Sequence, residues 1–237
     1  MRQVDVVILP QCVDEAYFQN KIVVVVDVLR ASTCIVTAFA NGAKALIPLK
    51  EPEDVRRMAA QLSAEQPLLC GEREGVALPG FDLANSPFEY TQGRIKDKLL
   101  LYTSSNGSQM MVKAKRASRI LIAAFVNLKS VVQSIEAGDA SICIACSGRE
   151  GQFSLEDTVC AGMLVHEFGE YVSISDSAHA AHVLYQYHAK DIYGTLAQSI
   201  HGKYLASLGL ADDLAFASQV DRFHVVPTWV GNRFIIE

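Results

Sequence analysis

The chain has 237 residues, of which 50% are hydrophobic, and it carries a formal net charge of −5. This composition suffices for one large α/β core, and we expect a single domain over residues 1–237 with a helix-rich part from about residue 173. The acidic balance, without any Lys/Arg cluster, argues against nucleic-acid binding, because phosphate backbones require a concentrated positive face. No apolar window reaches the length of a membrane span, so no membrane association is expected.

Most of the cysteines lie within or beside apolar segments, which is typical of reduced, packed thiols. They are Cys34, Cys70, Cys143, Cys146 and Cys160. We therefore expect a cytoplasmic protein, and the apolar content is also compatible with a homodimer.

Predicted strands and helices alternate along most of the chain. The strands are predicted at 4–9, 21–26, 45–49, 67–70, 98–102, 119–123 and 141–146. Helices are predicted in the connections, at about 33–41, 52–62, 108–114, 127–137 and 155–168. This alternation predicts a largely parallel sheet with helices on both of its faces.

Two other regions differ from this rhythm. Residues 71–90 are too rich in Gly and Pro for regular structure, and we expect them to form an ordered binding loop. From residue 175 onward the pattern favours helices at 178–189, 196–208 and 212–216, with short strands near 223–226 and 233–236.

Four polar loops follow strands of this predicted sheet: 27–33, 71–90, 103–108 and 147–157. If the strands are parallel, all four meet at the carboxyl edge, where α/β folds bind ligands. They supply carboxylates (Asp27, Glu72, Asp82, Glu156, Asp157), guanidiniums (Arg30, Arg73, Arg149), and hydroxyl or amide groups (Ser32, Thr33, Ser104, Ser105, Asn106). Carboxylates suit Mg²⁺, whereas arginines and helix starts suit anions such as phosphate. Together they indicate phosphoryl chemistry.

Each part of this pattern has a simpler structural interpretation. Asp27 could cap the following helix, although a carboxylate next to four valines is costly to bury without a partner. Arg30 could form a structural ion pair with Asp27. Residues 154–157 fit a capping box, and the turn at 105–107 could be ordinary capping.

The same loops carry sequence motifs that occur together in a known family. The motifs are Asp27-Val-Leu-Arg-Ala-Ser-Thr33, Gly71-Glu-Arg73 with Pro79-Gly-Phe-Asp-Leu-Ala-Asn-Ser-Pro87, Ser105-Asn-Gly107, and Gly151-Gln-Phe-Ser-Leu-Glu-Asp157 with Cys160-Ala-Gly162. In this order they make the chain resemble the 2-phosphosulfolactate phosphatase family.

The resemblance implies a three-layer α/β/α sandwich with a mixed, largely parallel sheet. It also implies a Mg²⁺-dependent phosphatase that converts 2-phospho-3-sulfolactate into 3-sulfolactate on the route to coenzyme M. The alternatives are a phosphatase of another phosphorylated 2-hydroxy acid and a non-catalytic binder of organic phosphates or sulfonates. A nucleotide-dependent enzyme is disfavoured, because no Gly-x-Gly-x-x-Gly or Gly-Lys-Ser/Thr motif follows a strand.

These observations lead to a mechanistic hypothesis. Asp27 would hold Mg²⁺ together with one or more of Glu72, Glu156 and Asp157, and Asp27 and Arg30 would be the catalytic residues. The small anionic substrate would be bound by Ser32, Thr33, Arg73, Asn85, Ser86, Ser104, Ser105, Asn106, Gly107 and Arg149. Direct attack by water and formation of an aspartyl phosphate both stay open at this point.

Overall fold

The computed structural model describes residues 2–135, 138–169 and 172–237. Within these residues one large mixed sheet of eleven strands runs through the molecule. The strands are β1 (Arg2–Val7), β2 (Ile22–Val26), β3 (Ala45–Pro48), β4 (Leu68–Arg73), β5 (Val76–Ala77), β6 (Leu99–Thr103), β7 (Arg119–Ala123), β8 (Ile142–Cys146), β9 (Val172–Ile174), β10 (Thr228–Val230) and β11 (Arg233–Ile235).

The strand order is β5-β4-β6-β3-β11-β10-β7-β2-β8-β1-β9. Parallel pairing joins β4, β6 and β3 on one side, and β7, β2, β8, β1 and β9 on the other. The antiparallel hairpin β10–β11 lies between these two parallel groups, paired through Thr228 with Leu121 and through Phe234 with Leu46. The predicted mixed, largely parallel sheet is therefore confirmed.

Helices cover both faces of the sheet. They are α1 (Ala31–Ala40), α2 (Pro52–Gln61), α3 (Gln92–Ile95), α4 (Gly107–Lys113), α5 (Leu128–Ser134), α6 (Leu155–Phe168), α7 (Asp176–His188), α8 (Ile192–Gln198), α9 (Ile200–Ser207) and α10 (Ala211–Ala217). None of the helices described is long and apolar enough to cross a membrane.

Strand β2 shows why two helical layers form. Successive side chains of a strand point to opposite faces, so its continuous valine run needs apolar cover on both sides. Val23 and Val25 belong to the core cluster under α1 and α4, whereas Val24 and Val26 belong to the cluster that contains α5, α6 and α7. The molecule is thus an α/β/α sandwich, as expected.

The carboxyl-terminal region differs from its prediction in two places. Residues 223–226 are not a strand, because they bond to the turn after β7: Phe223 N–H donates to Val126 O at 2.8 Å, and the Asn127 amide donates to Val225 O at 3.0 Å. The predicted helix 196–208 is broken at Ser199, which caps α9 by accepting from Gly202 N–H at 2.9 Å. The three-residue strand β9 and the two-residue strand β5 are too short to show a period in the sequence.

Candidate active site

The carboxyl ends of β2, β4, β6 and β8 meet at a cavity of about 320 Å³. Its lining combines residues of all four predicted loops with two residues of α9. The lining residues are Asp27, Leu29, Arg30, Glu72, Glu74, Gly75, Asn85, Ser104, Ser105, Asn106, Arg149, Glu150, His201 and Tyr204. The structure therefore brings together loops that are far apart in the sequence, as the parallel sheet predicted.

Asp27 lies at the turn between β2 and α1. Its backbone N–H donates to Ser32 Oγ at 3.0 Å, and its Oδ1 accepts from Ala31 N–H at 3.1 Å. No residue in the described ranges donates to Oδ2, the oxygen that approaches Gly107. A Cβ at Gly107 would lie 2.7 Å from Oδ2, so only glycine leaves room for this carboxylate.

The charge of Asp27 is poorly compensated by the protein. Burial raises its pKa to about 6, and the neighbouring carboxylates Glu72 and Glu156 raise it as well, against a lowering effect of His201. A buried carboxylate of this kind requires a cation, a proton or a ligand. Asp27 is thus available for chemistry in a way that a simple capping residue is not.

Glu72 also lines the cavity, but both of its oxygens accept hydrogen bonds. Oε1 accepts from Ser105 N–H at 2.8 Å, and Oε2 accepts from Gly75 N–H at 2.7 Å. These contacts tie the loop after β4 to the loop after β6. Each carboxylate oxygen has a further lone pair, so Glu72 can still contribute a ligand from this fixed position.

Glu156 and Asp157, in the first turn of α6, are not among the cavity-lining residues. Asp157 joins two loops, since Oδ1 accepts from Val28 N–H at 2.8 Å and Oδ2 from Gly148 N–H at 3.1 Å. Burial and the charges of Asp27 and Glu156 raise the pKa of Asp157 well above its usual range.

Glu156 lies 3.4 Å from His201, measured from Oε1 to Nδ1. Burial on its own would raise the pKa of Glu156, but the hydrogen bond and charge of His201 outweigh it, so that the pKa is lowered. Metal binding by Glu156 and Asp157 stays a prediction. In the structure Glu156 contacts His201, and Asp157 accepts hydrogen bonds from backbone N–H groups.

The predicted arginines occupy three different environments. Arg30 lines the cavity, and its buried guanidinium donates to Asp213 Oδ2 at 2.7 Å and to Gly75 O at 2.9 Å. Its ion pair is therefore with Asp213, and the alternative of pairing with Asp27 is wrong. Arg149 lines the cavity over the ring of Tyr204, at 5.2 Å.

Arg73 is not among the cavity-lining residues. Its guanidinium donates to Lys50 O at 2.6 Å, to Glu72 O at 2.8 Å and to Thr103 Oγ1 at 3.0 Å, and these bonds hold β4 against the neighbouring loop. Its role in anion binding stays a prediction.

The hydroxyl and amide candidates are divided in the same way. Asn85, Ser104, Ser105 and Asn106 line the cavity. Ser32, Thr33 and Ser86 are not lining residues, and their hydroxyls bond elsewhere. The Ser32 hydroxyl donates to Val25 O and accepts from Asp27 N–H. The Thr33 hydroxyl donates to Val28 O, and the Ser86 hydroxyl donates to Asp213 Oδ1.

Two cavity residues lie outside the four predicted loops, His201 and Tyr204 of α9. The Tyr204 hydroxyl donates to Glu74 O at 3.0 Å and thereby fastens α9 over the loop after β4. A signal existed in Ser199, because serine is a preferred residue at the N-cap of a helix. At Gly202 a Cβ would lie 1.8 Å from Leu196 O, so this helix break depends on glycine.

A metal site made by protein alone is not found in the described part of the chain, where no three His, Cys, Asp or Glu side chains converge on one point. Mg²⁺ does not require such a group, because it usually takes one or two carboxylates and completes its shell with water and substrate phosphate. The carboxylates of the cavity lining, Asp27 and Glu72, fit this requirement.

Known proteins resemble this chain over most of its length. The family model described as 2-phosphosulpholactate phosphatase matches residues 7–232. Three relatives are each named "Probable 2-phosphosulfolactate phosphatase". The one from Pseudothermotoga lettingae is 37% identical over 233 residues, 98% of each chain. Those from Symbiobacterium thermophilum and a Synechococcus species are 36% and 40% identical over 92% and 87% of this chain, and 94% and 88% of the relatives.

The family match covers nearly the whole chain and includes all four loops that form the cavity. The resemblance seen in the sequence motifs is thereby confirmed, and the chain belongs to the 2-phosphosulfolactate phosphatase family.

Proposed function

We propose that the chain is a Mg²⁺-dependent phosphatase that hydrolyses 2-phospho-3-sulfolactate to 3-sulfolactate and phosphate, a reaction of the coenzyme M route. The observation that carries this proposal is the position of the uncompensated Asp27 carboxylate beside Arg30 and Arg149 in one cavity. Family membership and the names of the relatives support the choice of substrate.

Asp27 and Glu72 are the residues that would hold Mg²⁺. When bound, the ion would offset negative charge on the phosphoryl oxygens and orient the group that is transferred. Asp27 supplies an oxygen without a donor among the described residues, whereas Glu72 is held in place by two backbone N–H groups. The site thus combines one carboxylate oxygen that has no donor among the described residues, on Asp27, with one carboxylate that is already oriented, that of Glu72.

The two arginines of the cavity suit the remaining negative charge of the substrate, which carries phosphate, carboxylate and sulfonate groups. Arg30 is immobilised by Asp213 and Gly75, so its remaining N–H groups present a fixed donor surface. Arg149 is partly exposed and packed on Tyr204, and it adds a second guanidinium to the cavity lining. Fixed donors of this type stabilise a developing anion without reorganisation.

His201 is the cavity residue best suited to donate a proton. Because its Nδ1 faces the buried Glu156, Nε2 is the ring nitrogen left for the substrate. In the proposed reaction the bond breaks between phosphorus and the oxygen that is attached to carbon 2 of sulfolactate. This leaving oxygen takes a proton from Nε2. Water supplies the oxygen that phosphate gains, and a proton that this water loses returns to His201, so that atoms and protons balance over the reaction.

The proposed function is tested by phosphate release from 2-phosphosulfolactate by the purified protein. We expect turnover with Mg²⁺, loss of turnover in excess EDTA, and recovery when Mg²⁺ is restored. Full activity in EDTA would contradict the metal role. Binding of the substrate without turnover would instead identify a non-catalytic binder.

We expect His201→Gln to lower kcat for 2-phosphosulfolactate about 10²-fold or more, the usual contribution of a general acid. A leaving group of low pKa needs less protonation, so the same variant should lose much less activity on p-nitrophenyl phosphate. His179→Gln, on the exposed surface of α7, is the matched control and should retain wild-type rates. Equal losses on both substrates would show that His201 has a structural role only.

A further inference from the structure

A pair of histidines joins the carboxyl-terminal end of α6 to α7. His166 belongs to the last turn of α6, and His182 lies in the middle of α7. Nδ1 of His166 faces Nε2 of His182 at 3.3 Å. The ring centroids are 5.4 Å apart and the ring planes are inclined by 37°, so the rings meet through their nitrogens and do not stack.

The close packing of α6 on α7 brings these rings together. Gly162 lies one turn before His166 on α6. A Cβ at Gly162 would lie 2.0 Å from Ala181 O and 2.8 Å from Tyr185 Cβ, so only glycine allows the helices to approach this closely. Because Ala181 directly precedes His182, the same contact places the two imidazoles within reach of each other. The pair is therefore held by the backbone packing of two helices.

The separation of the facing nitrogens is that of two ligands on one metal ion. Zn²⁺ binds imidazole nitrogen at about 2.0–2.1 Å in tetrahedral geometry, which places two ligand nitrogens about 3.3–3.4 Å apart. The observed 3.3 Å matches this spacing. Imidazole suits zinc and related transition metals, whereas Mg²⁺ takes oxygen ligands. The histidine pair thus suits a different class of ion from the carboxylates of the cavity.

The surroundings of the pair leave room for the rest of a coordination shell. His166 is exposed and His182 is half-buried, so water reaches the pair. Within the described ranges, each facing nitrogen bonds only to the other. Negative charge lies close by, because Glu167 follows His166 and the last turn of a helix carries a partial negative charge. Two imidazoles with water ligands are fewer than the three side chains of an all-protein centre, in agreement with the described contacts.

The histidine pair is remote from the cavity. The end of α6 nearest the cavity is its first turn, where Glu156 contacts His201. His166 lies about 15 Å from that turn along the helix axis, at a rise of about 1.5 Å per residue. The residues that line the cavity include none from α7. An ion on the pair would therefore act on the packing of α6 against α7 and not on the reacting groups.

We propose that His166 and His182 form a binding site for one Zn²⁺ ion, which links α6 to α7 and carries water at its other positions. The site is independent of the proposed function. In the metal-free protein the facing nitrogens share a proton, and Zn²⁺ takes the place of that proton. Because only the folded chain brings the two ligands together, binding stabilises the folded state.

Zn²⁺ titration of the metal-free protein by calorimetry tests this site. Excess Mg²⁺ is present to occupy the carboxylates of the cavity, and every protein compared carries Cys12→Ser, which removes an exposed thiol. We expect His166→Gln and His182→Gln each to weaken Zn²⁺ binding at least about tenfold, since loss of even an outer-shell partner of a metal ligand costs about 10–100-fold. The double variant should lose much less than the product of the two single losses, because both residues serve one site.

His179→Gln is the matched control. His179 lies one turn before His182 on the exposed surface of α7, and its replacement should leave the Zn²⁺ affinity at the wild-type value. Thermal melts supply a second measurement. Zn²⁺ should raise the melting temperature of the parent protein and of His179→Gln, and it should raise that of the two single variants much less.

Three results would overturn the site. Equal Zn²⁺ affinity in the parent protein and in both single variants would show that the facing nitrogens share only a proton. A loss in His179→Gln as large as that in His182→Gln would place the ion on α7 alone, without a link to α6. Absence of Zn²⁺ binding by the parent protein in excess Mg²⁺ would leave the carboxylates of the cavity as the metal ligands and the histidine pair as a structural contact.

Discussion

Asp27→Asn is expected to lower kcat for 2-phosphosulfolactate about 10²–10³-fold or more, the range found when one fixed electrostatic contact to a transition state is lost. The same substitution should stabilise the metal-free protein above pH 6. Both effects have one cause, because a carboxylate that is useful to a cation is a cost to the fold when the cation is absent. Such a gain in stability with loss of function would separate Asp27 from ordinary capping residues.

The sign of the pH dependence follows from the raised pKa. The pKa of Asp27 rises from the ordinary 3.8 to about 6 in the folded chain, so the folded state binds this proton more tightly than the unfolded state. Its contribution to stability is therefore complete below pH 4 and is lost as the pH rises through about 6. The asparagine variant has no such proton to lose.

Thermal melts of both proteins in EDTA from pH 4 to pH 8 measure this difference. We expect the melting temperature of the variant to exceed that of the wild type increasingly as the pH rises. Asp139→Asn, at an exposed position, is the control and should follow the wild type at every pH. Wild-type turnover by Asp27→Asn would remove Asp27 from the chemistry, and parallel melting curves would contradict its uncompensated charge.

Asp213→Asn is expected to destabilise the fold by about 3–5 kcal/mol, because it removes the counter-charge of a guanidinium that stays buried. Asp213 accepts hydrogen bonds from the Arg30 guanidinium and from the Ser86 hydroxyl, each at 2.7 Å. The side chains of Arg30 and Asp213 are only 4% and 3% exposed. The substitution should also raise KM, since Arg30 would no longer be held toward the cavity.

Urea denaturation of variants at two adjacent aspartates, Asp212 and Asp213, tests this expectation. Asp212 precedes Asp213 in the first turn of α10 but is exposed, so Asp212→Asn should change the unfolding free energy by only about 0.5 kcal/mol. Both variants lose one negative charge near the same helix terminus. Similar stabilities for the two would show that the buried ion pair contributes little.

The centre of the fold could be predicted because its sequence signals are local. A run of four valines that ends in Asp27 favours a strand buried on both faces, and the carboxyl end of such a strand in an α/β sheet is where ligands bind. The alternation of strands and helices then predicted that the other loops would join Asp27. Boundaries of β7 and α6 agree with their predicted ranges because each has a clear start or stop signal.

The partners that complete the site could not be predicted in this way. His201 reaches the cavity, and Asp213 reaches Arg30, from helices more than 170 residues after Asp27. No local pattern states which side chain faces which loop. Arg73 shows the opposite case, a residue that was predicted to bind the substrate and does not line the cavity. Its position beside Glu72 in the sequence does not indicate that its guanidinium binds backbone carbonyls. Side-chain direction is decided by tertiary packing, which periodicity does not encode.

The position of the β10–β11 hairpin has a consequence for synthesis on the ribosome. The hairpin lies between β7 and β3, so the two parallel groups of strands are joined through residues 228–235. Until these residues have left the exit tunnel, both groups keep an unpaired edge that can pair with another chain. Completion of the sheet therefore waits for residues 228–235, and chaperone demand should be set by this delay rather than by the folding of the individual strand-helix units.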